Sequence, residues 1–273
     1  MKTIVVATDF STGANRTVDF AIKMAHAQQA ALAVVHAFHA WPTNPAETGI
    51  DAAFGSKALH DVCLRELNAV VQDLLERSGL NVPIRTVVQQ GYTIPAVLDV
   101  VAREKADLLV MSTVGSAPQS AQLMGSVATA MISETTVPLL LIPPTATYTE
   151  LKNVVLGIDL SIPTDAATLD TALRVASQFH CVVNLLCQYD QPVTAHIQTK
   201  AEHIRSLMRH IPHTLTILPG NDVYDTLINF AHTNKANLIM MLPQKHNWLR
   251  KLFVESTTEH TARLTDIPLL AIV

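Results

Sequence analysis

The residues best suited to bind a phosphate lie between Ser112 and Ile132, in the stretch STVGSAPQSAQLMGSVATAMI. Gly115 and Gly125 have nine residues between them, and Ser126 follows the second glycine directly. A glycine-lined turn that enters a helix can bind an anion, because unpaired backbone N–H groups and the helix dipole face it. The same residues could instead form only a turn and the N-cap of a helix. The spacing alone leaves both interpretations open.

Other residue types that often do chemistry show no such arrangement. His36 and His39 follow one predicted strand, and His210 and His213 flank a turn, but none has HExxH spacing or paired ligand spacing on one element. The sequence contains neither a GxSxG elbow nor a Walker loop. We therefore expect no catalytic residues, no metal site and no enzyme beyond a slow ATPase.

The overall composition excludes several classes of protein. Hydrophobic residues make up 49 % of the chain and charged residues 15 %, which favours a large core over disorder. The net charge of −4 argues against a nucleic-acid surface, and no apolar run is long enough for a membrane span. Three cysteines without CxxC spacing suggest a reducing, cytoplasmic setting.

The chain contains an internal repeat that predicts two homologous domains, 1–145 and 150–273. Four pairs of segments align in the same order: TIVVATDFS with NVVLGIDLS, AIKMA with ALRVA, KADLLVM with KANLIMM, and VPLLLI with IPLLAI. The first copy carries an extra segment near 37–56. The stretch PPTATYTE, residues 143–150, is predicted to join the two domains because paired prolines and small polar residues disfavour helices and central strands.

Each copy alternates strand and helix patterns, which predicts an α/β fold with a five-stranded parallel sheet covered by helices on both faces. One helix is predicted over 12–28, with Val18, Ala21, Ile22 and Ala25 on one face. Another is predicted over 56–78, with an apolar stripe of Leu59, Val62, Leu67, Val70, Val71 and Leu74. Ligands of such sheets bind at the carboxyl ends of the strands. In the first copy those ends carry Thr8 and Asp9, Ala37, and the segment 112–126.

This order of motifs resembles the universal stress protein family. TDFS, a histidine and alanine after the second strand, the glycine loop and VPLLLIP occur in the family's order. Its nucleotide-binding members carry Gly-x-x-Gly, nine residues, then Gly-Ser or Gly-Thr, and Ser112 stands here in place of the first glycine. The resemblance implies two tandem Rossmann-like domains of the adenine nucleotide alpha hydrolase-like type.

The resemblance also implies a site for ATP or a related adenine nucleotide, with Mg²⁺ as the metal that would accompany it. Ala7 and Asp9 would line the base and ribose end, and the Ala37 backbone would meet the adenine. Ser112 and Gly115 would flank the ribose and phosphates. The phosphates would be held by Gly125, Ser126 and Val127.

Two of these assignments have alternatives. If position 112 requires φ > 0, a serine there costs about 1–2 kcal/mol and could weaken or abolish binding. Asp9 could instead cap the next helix, since DFST fits a capping sequence.

The second copy is predicted not to bind ATP in the family's manner. Positions Ser112, Gly115 and Gly125 correspond to Leu242, Lys245 and Glu255, and a carboxylate at the last position would repel a phosphate. Lys245, His246, Arg250 and Lys251 form a basic cluster that we interpret as a solvated loop.

Two hypotheses from different classes follow. In the first, the protein is a nucleotide-binding stress-response or signalling module with its site in the first copy. In the second, it is a nucleotide-free protein-interaction scaffold with vestigial sites. The resemblance further implies that VPLLLI and IPLLAI pair within one chain, and a homodimer of the tandem is a further expectation.

Overall fold

The computed structural model describes residues 1–39, 50–116, 126–159, 166–189, 194–219, 223–242 and 266–273. These residues form two compact units, Met1–Val137 and Pro138–Val273. Both are α/β in character, as the alternating sequence pattern predicts.

Unit 1 is a parallel sheet with helices between its strands. Its elements are β1 (Thr3–Ala7), α1 (Thr12–Gln28), β2 (Ala31–Phe38), α2 (Ile50–Ser78), β3 (Ile84–Gln90), α3 (Thr93–Arg103), β4 (Leu108–Ser112) and α4 (Ser126–Glu134). The strand order is β3-β2-β1-β4, with Val6 opposite both Val34 and Val110. β1 and β4 are fully buried at their centres, which explains their continuous apolar runs.

Helix α1 matches its prediction in bounds and in its buried face. Val18, Ala21, Ile22 and Ala25 are fully buried. The helix begins after Ser11, whose Oγ accepts a hydrogen bond of 3.2 Å from the Ala14 N–H. This serine accepts a bond from one of the otherwise unpaired N–H groups of the first turn, and it thereby fixes the residue at which α1 begins.

Helix α2 differs from its prediction in length and in the stripe that it buries. It begins at Ile50, six residues before the predicted start. Leu59 and Val62 are exposed, whereas Cys63, Leu67 and Val71 are buried at four-residue steps. The predicted stripe was wrong in its first turns because apolar residues spaced by three and four define two neighbouring faces, and only one of them meets the sheet.

Unit 2 contains β5 (Leu139–Ile142), β6 (Asn153–Asp159), α5 (Ala166–Phe179), β7 (Val182–Tyr189), α6 (Ala195–Leu207), β8 (His213–Pro219), α7 (Val223–Thr233), β9 (Leu238–Met241) and β10 (Leu269–Ala271). The order is β5-β10-β9-β6-β7-β8, and every pair is parallel except β5 with β10. In that antiparallel pair Leu140 lies opposite Leu270.

The segments that align in sequence also share local backbone structure. The Asp107 N–H donates to the Thr3 carbonyl at 2.9 Å, and at the aligned positions the Asn237 N–H donates to the Asn153 carbonyl at 2.9 Å. The lysine that precedes each of these strands has a left-handed φ, 50° for Lys105 and 51° for Lys235. The residue before β4 is therefore bonded to the start of β1 in the same way as the residue before β9 is bonded to the start of β6.

Candidate functional site

A pocket opens at the carboxyl ends of β1, β2 and β4 in unit 1. Its volume is about 310 Å³, at the lower end of the range for small-molecule sites. The first turns of α1, α3 and α4 close its sides. It is lined by Ala7, Thr8, Asp9, Ala14, Val35, Ala37, Thr93, Val97, Met111, Ser112, Thr113, Val114, Gly115, Ser116, Val127 and Ala128. The position is the one at which open parallel sheets bind ligands.

Six of the eight residues predicted to form the site lie in this lining: Ala7, Asp9, Ala37, Ser112, Gly115 and Val127. Ser126 is the first residue of α4, and its side chain lies outside the described part of the chain, as does Gly125. The strands bring together positions that are more than 100 residues apart in sequence. The role of these residues in binding a nucleotide stays a prediction.

The Asp9 carboxylate joins the end of β1 to the loop after β4. Its Oδ1 accepts a hydrogen bond of 3.1 Å from the Ser11 N–H, and its Oδ2 accepts one of 2.7 Å from the Ser116 N–H. The alternative that Asp9 caps α1 is wrong, because Ser11 is the N-cap residue. Asp9 instead holds the β4 loop beside the pocket.

The hydrogen bonds of Asp9 also set its charge state. Partial burial works to raise the pKa of the carboxyl group, but the hydrogen bonds from Ser11 and Ser116 outweigh burial and lower the pKa below its ordinary value. The carboxylate is therefore ionised at neutral pH, and its negative charge faces the pocket.

Gly115 is required by a close approach and not by its backbone angles. Its φ is not positive, so any residue could adopt its backbone conformation. A Cβ at this position, however, would lie 3.0 Å from Asp9 Oδ2. A side chain here would push the carboxylate away from the Ser116 N–H. The glycine thus allows the loop to lie against Asp9.

Ser112 stands where the family has a glycine, and a serine there would be strained if the position required a positive φ. The structure shows no such strain. Ser112 is the last residue of β4 and its φ is not positive, so a serine fits without cost. Its Oγ accepts a hydrogen bond of 3.3 Å from the Val114 N–H and stabilises the turn that leaves the strand.

Phe10 and His36 contribute to the site although sequence reasoning assigned them no role there. Phe10 is held at φ 63°, a left-handed conformation that is unusual for a large side chain. Its ring packs on His36 with centroids 4.2 Å apart, and His36 Nδ1 lies 2.9 Å from the Thr8 carbonyl. These contacts fix the turn that presents Asp9; both residues lie in the segments TDFS and His-Ala that carry the family resemblance, but their packing on each other was not predicted.

Among the described residues of unit 2, two apolar side chains lie at positions that correspond to the unit 1 pocket. Gly157 aligns with Ala7, and a Cβ on it would lie 3.3 Å from Leu227 Cδ1. Leu227 aligns with Val97, Leu242 aligns with Ser112, and both leucines are buried. Both leucines are larger than the residues at the aligned positions of unit 1, which adds a steric argument to the prediction that the second copy does not bind ATP.

Several other expectations concern features that the structure describes only in part. The basic cluster of Lys245, His246, Arg250 and Lys251 lies outside the described residues. Within the described ranges no three His, Cys, Asp or Glu side chains are grouped so as to hold a metal ion. No helix in those ranges is both long and apolar enough to cross a membrane.

The chain is similar to known proteins in sequence and in fold. The profile of the universal stress protein family matches residues 1–143. A universal stress protein from Archaeoglobus fulgidus DSM 4304 is 12 % identical, with a TM-score of 0.65 over 99 % of this chain and 95 % of its own. A putative universal stress protein from Pseudomonas aeruginosa UCBPP-PA14 is 13 % identical, with a TM-score of 0.61 over 100 % of this chain and 93 % of its own.

A universal stress protein in complex with cAMP is 28 % identical and covers 52 % of this chain and 96 % of its own, with a TM-score of 0.39. No curated protein sequence matches the chain significantly. The family profile covers more than half of the chain, and the two structures that cover nearly all of it share its fold. The chain belongs to the universal stress protein family.

Proposed function

We propose that the protein is a stress-response or signalling module that binds an adenine nucleotide, ATP or a relative of it, in the unit 1 pocket. The observation that carries this proposal is the convergence of Ala7, Asp9, Ala37, Ser112, Gly115 and Val127 on one pocket. The family resemblance implies all six positions; the ends of β1, β2 and β4 supply five of them, and α4 supplies Val127. A pocket at that edge of a parallel sheet is where nucleotides bind in related architectures.

The pocket offers the two kinds of contact that an adenine nucleoside needs. Its apolar wall, which includes Val35, Val97 and Met111, suits a planar base. The Asp9 carboxylate can accept hydrogen bonds from ribose hydroxyls that replace its side-chain hydrogen bonds from Ser11 and Ser116, while the two backbone N–H groups stay bound to it. A phosphate would extend toward the first turn of α4, where Val127 lies.

The binding energy has to come mainly from this lining. A micromolar complex needs about 8 kcal/mol. The dipole of one helix contributes at most about 2 kcal/mol. Burial of the base and several hydrogen bonds must supply the rest, so the loop that Asp9 holds in place is decisive for affinity.

The test is to release and identify any nucleotide from freshly purified protein, and then to titrate the protein with adenosine, AMP and ATP with Mg²⁺ by calorimetry. We expect about one site per chain. Gly115→Val should abolish binding, because its side chain would collide with Asp9. Gly55→Val is the matched control, since a Cβ on Gly55 meets nothing within 4 Å.

Absence of copurified nucleotide together with no heat from any of the three ligands would overturn the nucleotide proposal. The protein would then be better described as an interaction scaffold with two vestigial sites. The larger buried side chains of Leu227 and Leu242 in unit 2 support that description for the second copy.

We also propose that the two copies of the repeat pair through their last strands within one chain. The support is that β5, which belongs to the first copy by sequence, pairs antiparallel with β10, and Leu140 and Leu270 are fully buried. Light scattering should then give the mass of one chain, 29.7 kDa, or that of a homodimer whose assembly Leu270→Lys leaves unchanged. A dimer that dissociates on Leu270→Lys would show that the strands pair between chains instead.

A further inference from the structure

The described lining of the unit 1 pocket carries one negative charge and no positive charge. Asp9 is the only titratable side chain in it, and its hydrogen bonds from the Ser11 and Ser116 N–H groups favour the ionised form. The rest of the lining consists of small or apolar residues and five hydroxyl residues, Thr8, Thr93, Ser112, Thr113 and Ser116.

The segment that carries the β4 loop and the start of α4 supplies no basic side chain either. Between Lys105 and Lys152 the chain contains no lysine, arginine or histidine, and this span includes the whole segment from β4 to α4. Lys105 precedes β4 and therefore lies at the edge of the sheet opposite the pocket. Arg16 follows the lining residue Ala14 by two positions on α1, which turns it about 200° around the helix axis.

Among the described residues, the remaining source of positive potential is weaker than the charge it would have to offset. Helix α4 begins at Ser126, and its neighbour Val127 lines the pocket. A helix N-terminus is equivalent to roughly half a positive charge. Asp9 carries a full negative charge in the same cavity, so the described pocket disfavours each additional negative charge on a ligand.

We propose that the unit 1 site selects an adenine ligand of low charge, a nucleoside or a nucleoside monophosphate, and binds metal-free ATP more weakly. This proposal rests on the proposed function of the same pocket. The base and ribose contact the uncharged part of the lining and Asp9, while every added phosphate increases the repulsion from that carboxylate. Mg²⁺ coordinates phosphate oxygens and cancels part of their charge, so it improves ATP binding.

The first experiment is calorimetric titration of the full chain with adenosine, AMP, metal-free ATP and ATP with Mg²⁺, at ionic strengths from about 0.05 M to about 0.5 M. We expect adenosine to bind at least about tenfold more tightly than metal-free ATP at low salt, because each charge near Asp9 costs several-fold in affinity. Salt screens repulsion, so ATP should bind more tightly as salt rises while the affinity for adenosine stays constant.

Variants then identify the charge that is responsible. Asp9→Asn should lower the ratio of the ATP to the adenosine dissociation constant by about threefold or more, and the ratio cancels any loss that both ligands share. Asp73→Asn is the matched control, since it makes the same change in net charge at an exposed residue paired with Arg77 on α2. Ser116→Lys, at an exposed lining residue, should lower the same ratio by adding a cation.

Each outcome decides between the two proposals. Metal-free ATP that binds more tightly than adenosine, or that weakens as salt rises, would overturn the charge selectivity and leave the nucleotide site intact. A ratio that Asp9→Asn does not lower, or that Asp73→Asn lowers equally, would also overturn it. If neither adenosine nor any nucleotide binds, both the selectivity and the proposed function are wrong.

Discussion

Gly115→Ala tests whether Asp9 holds the loop after β4. The new Cβ would lie 3.0 Å from Asp9 Oδ2, which accepts the 2.7 Å hydrogen bond from the Ser116 N–H. The carboxylate has to shift by a few tenths of an ångström, and because the Ser11 N–H holds its other oxygen, the shift weakens the bond to Ser116. Hydrogen bonds to charged groups contribute about 1.5–3 kcal/mol, and the exposure of Ser116 favours the lower end of that range.

A second effect opposes this loss. At a position without positive φ, replacing glycine by alanine stabilises the fold by about 0.4–1 kcal/mol, because the unfolded chain loses freedom. We therefore expect Gly115→Ala to lower the free energy of unfolding by about 1 kcal/mol. In an Asp9→Ala background the clash is absent, and the same substitution should raise the free energy of unfolding by several tenths of a kcal/mol.

Urea unfolding followed by circular dichroism measures this change of sign, and hydrogen exchange at the Ser116 amide reports the bond locally. Gly55→Ala is the control, because its Cβ meets nothing within 4 Å. It should stabilise both backgrounds by about 0.5–1 kcal/mol. Equal destabilisation by Gly115→Ala with and without Asp9 would refute the reasoning.

Four further predictions concern other parts of the chain. Because the pKa of Asp9 is lowered in the folded state, its stabilising effect is complete above the unfolded pKa of about 3.9 and is lost as pH falls through the folded pKa. The difference in unfolding free energy between wild type and Asp9→Asn should therefore be constant near neutral pH and shrink below about pH 4, and a difference that is flat down to pH 2 would contradict this. Phe10→Gly should be more stable than Phe10→Ala by about 1 kcal/mol in urea unfolding, because glycine adopts φ 63° without strain; the reverse order would show that Phe10 is unstrained. Burial raises the pKa of Cys181 to about 11 and that of Cys187 to about 12. Iodoacetamide at pH 8 should therefore label neither thiol until urea unfolds unit 2. Fast labelling of the native protein would contradict the burial of these thiols. Leu227→Ala should lower the free energy of unfolding by about 2–5 kcal/mol, and a loss below 1 kcal/mol would mean that Leu227 does not fill the space beside Gly157.

The sequence was sufficient for the features that depend on local pattern. Short apolar runs identified β1 and β4, and helical spacing identified α1 with its buried face. The order of strands and helices then placed Asp9, Ala37 and Ser112 at the carboxyl ends of neighbouring strands. Each of these inferences uses the fixed periods of helices and strands, which act within a few residues.

The same local patterns misjudged α2, where two apolar faces compete and only packing against the sheet selects between them. The sequence alone did not predict that Leu59 and Val62 are exposed whereas Cys63 and Leu67 are buried. Apolar periodicity indicates which faces of a helix could be buried, and tertiary packing determines which of them is buried.

The roles of individual site residues were decided by contacts between distant parts of the chain. Asp9 could be read from sequence as a cap or a ligand residue, but its hydrogen bond to Ser116 joins positions 107 residues apart. Gly115 was predicted only to lie in a glycine-lined turn, whereas the structure shows the Asp9 carboxylate lying close against it. The sequence thus determined which residues reach the end of the sheet, and only the tertiary structure decided which atoms meet there, because hydrogen bonds depend on ångström-scale positions that no local pattern encodes.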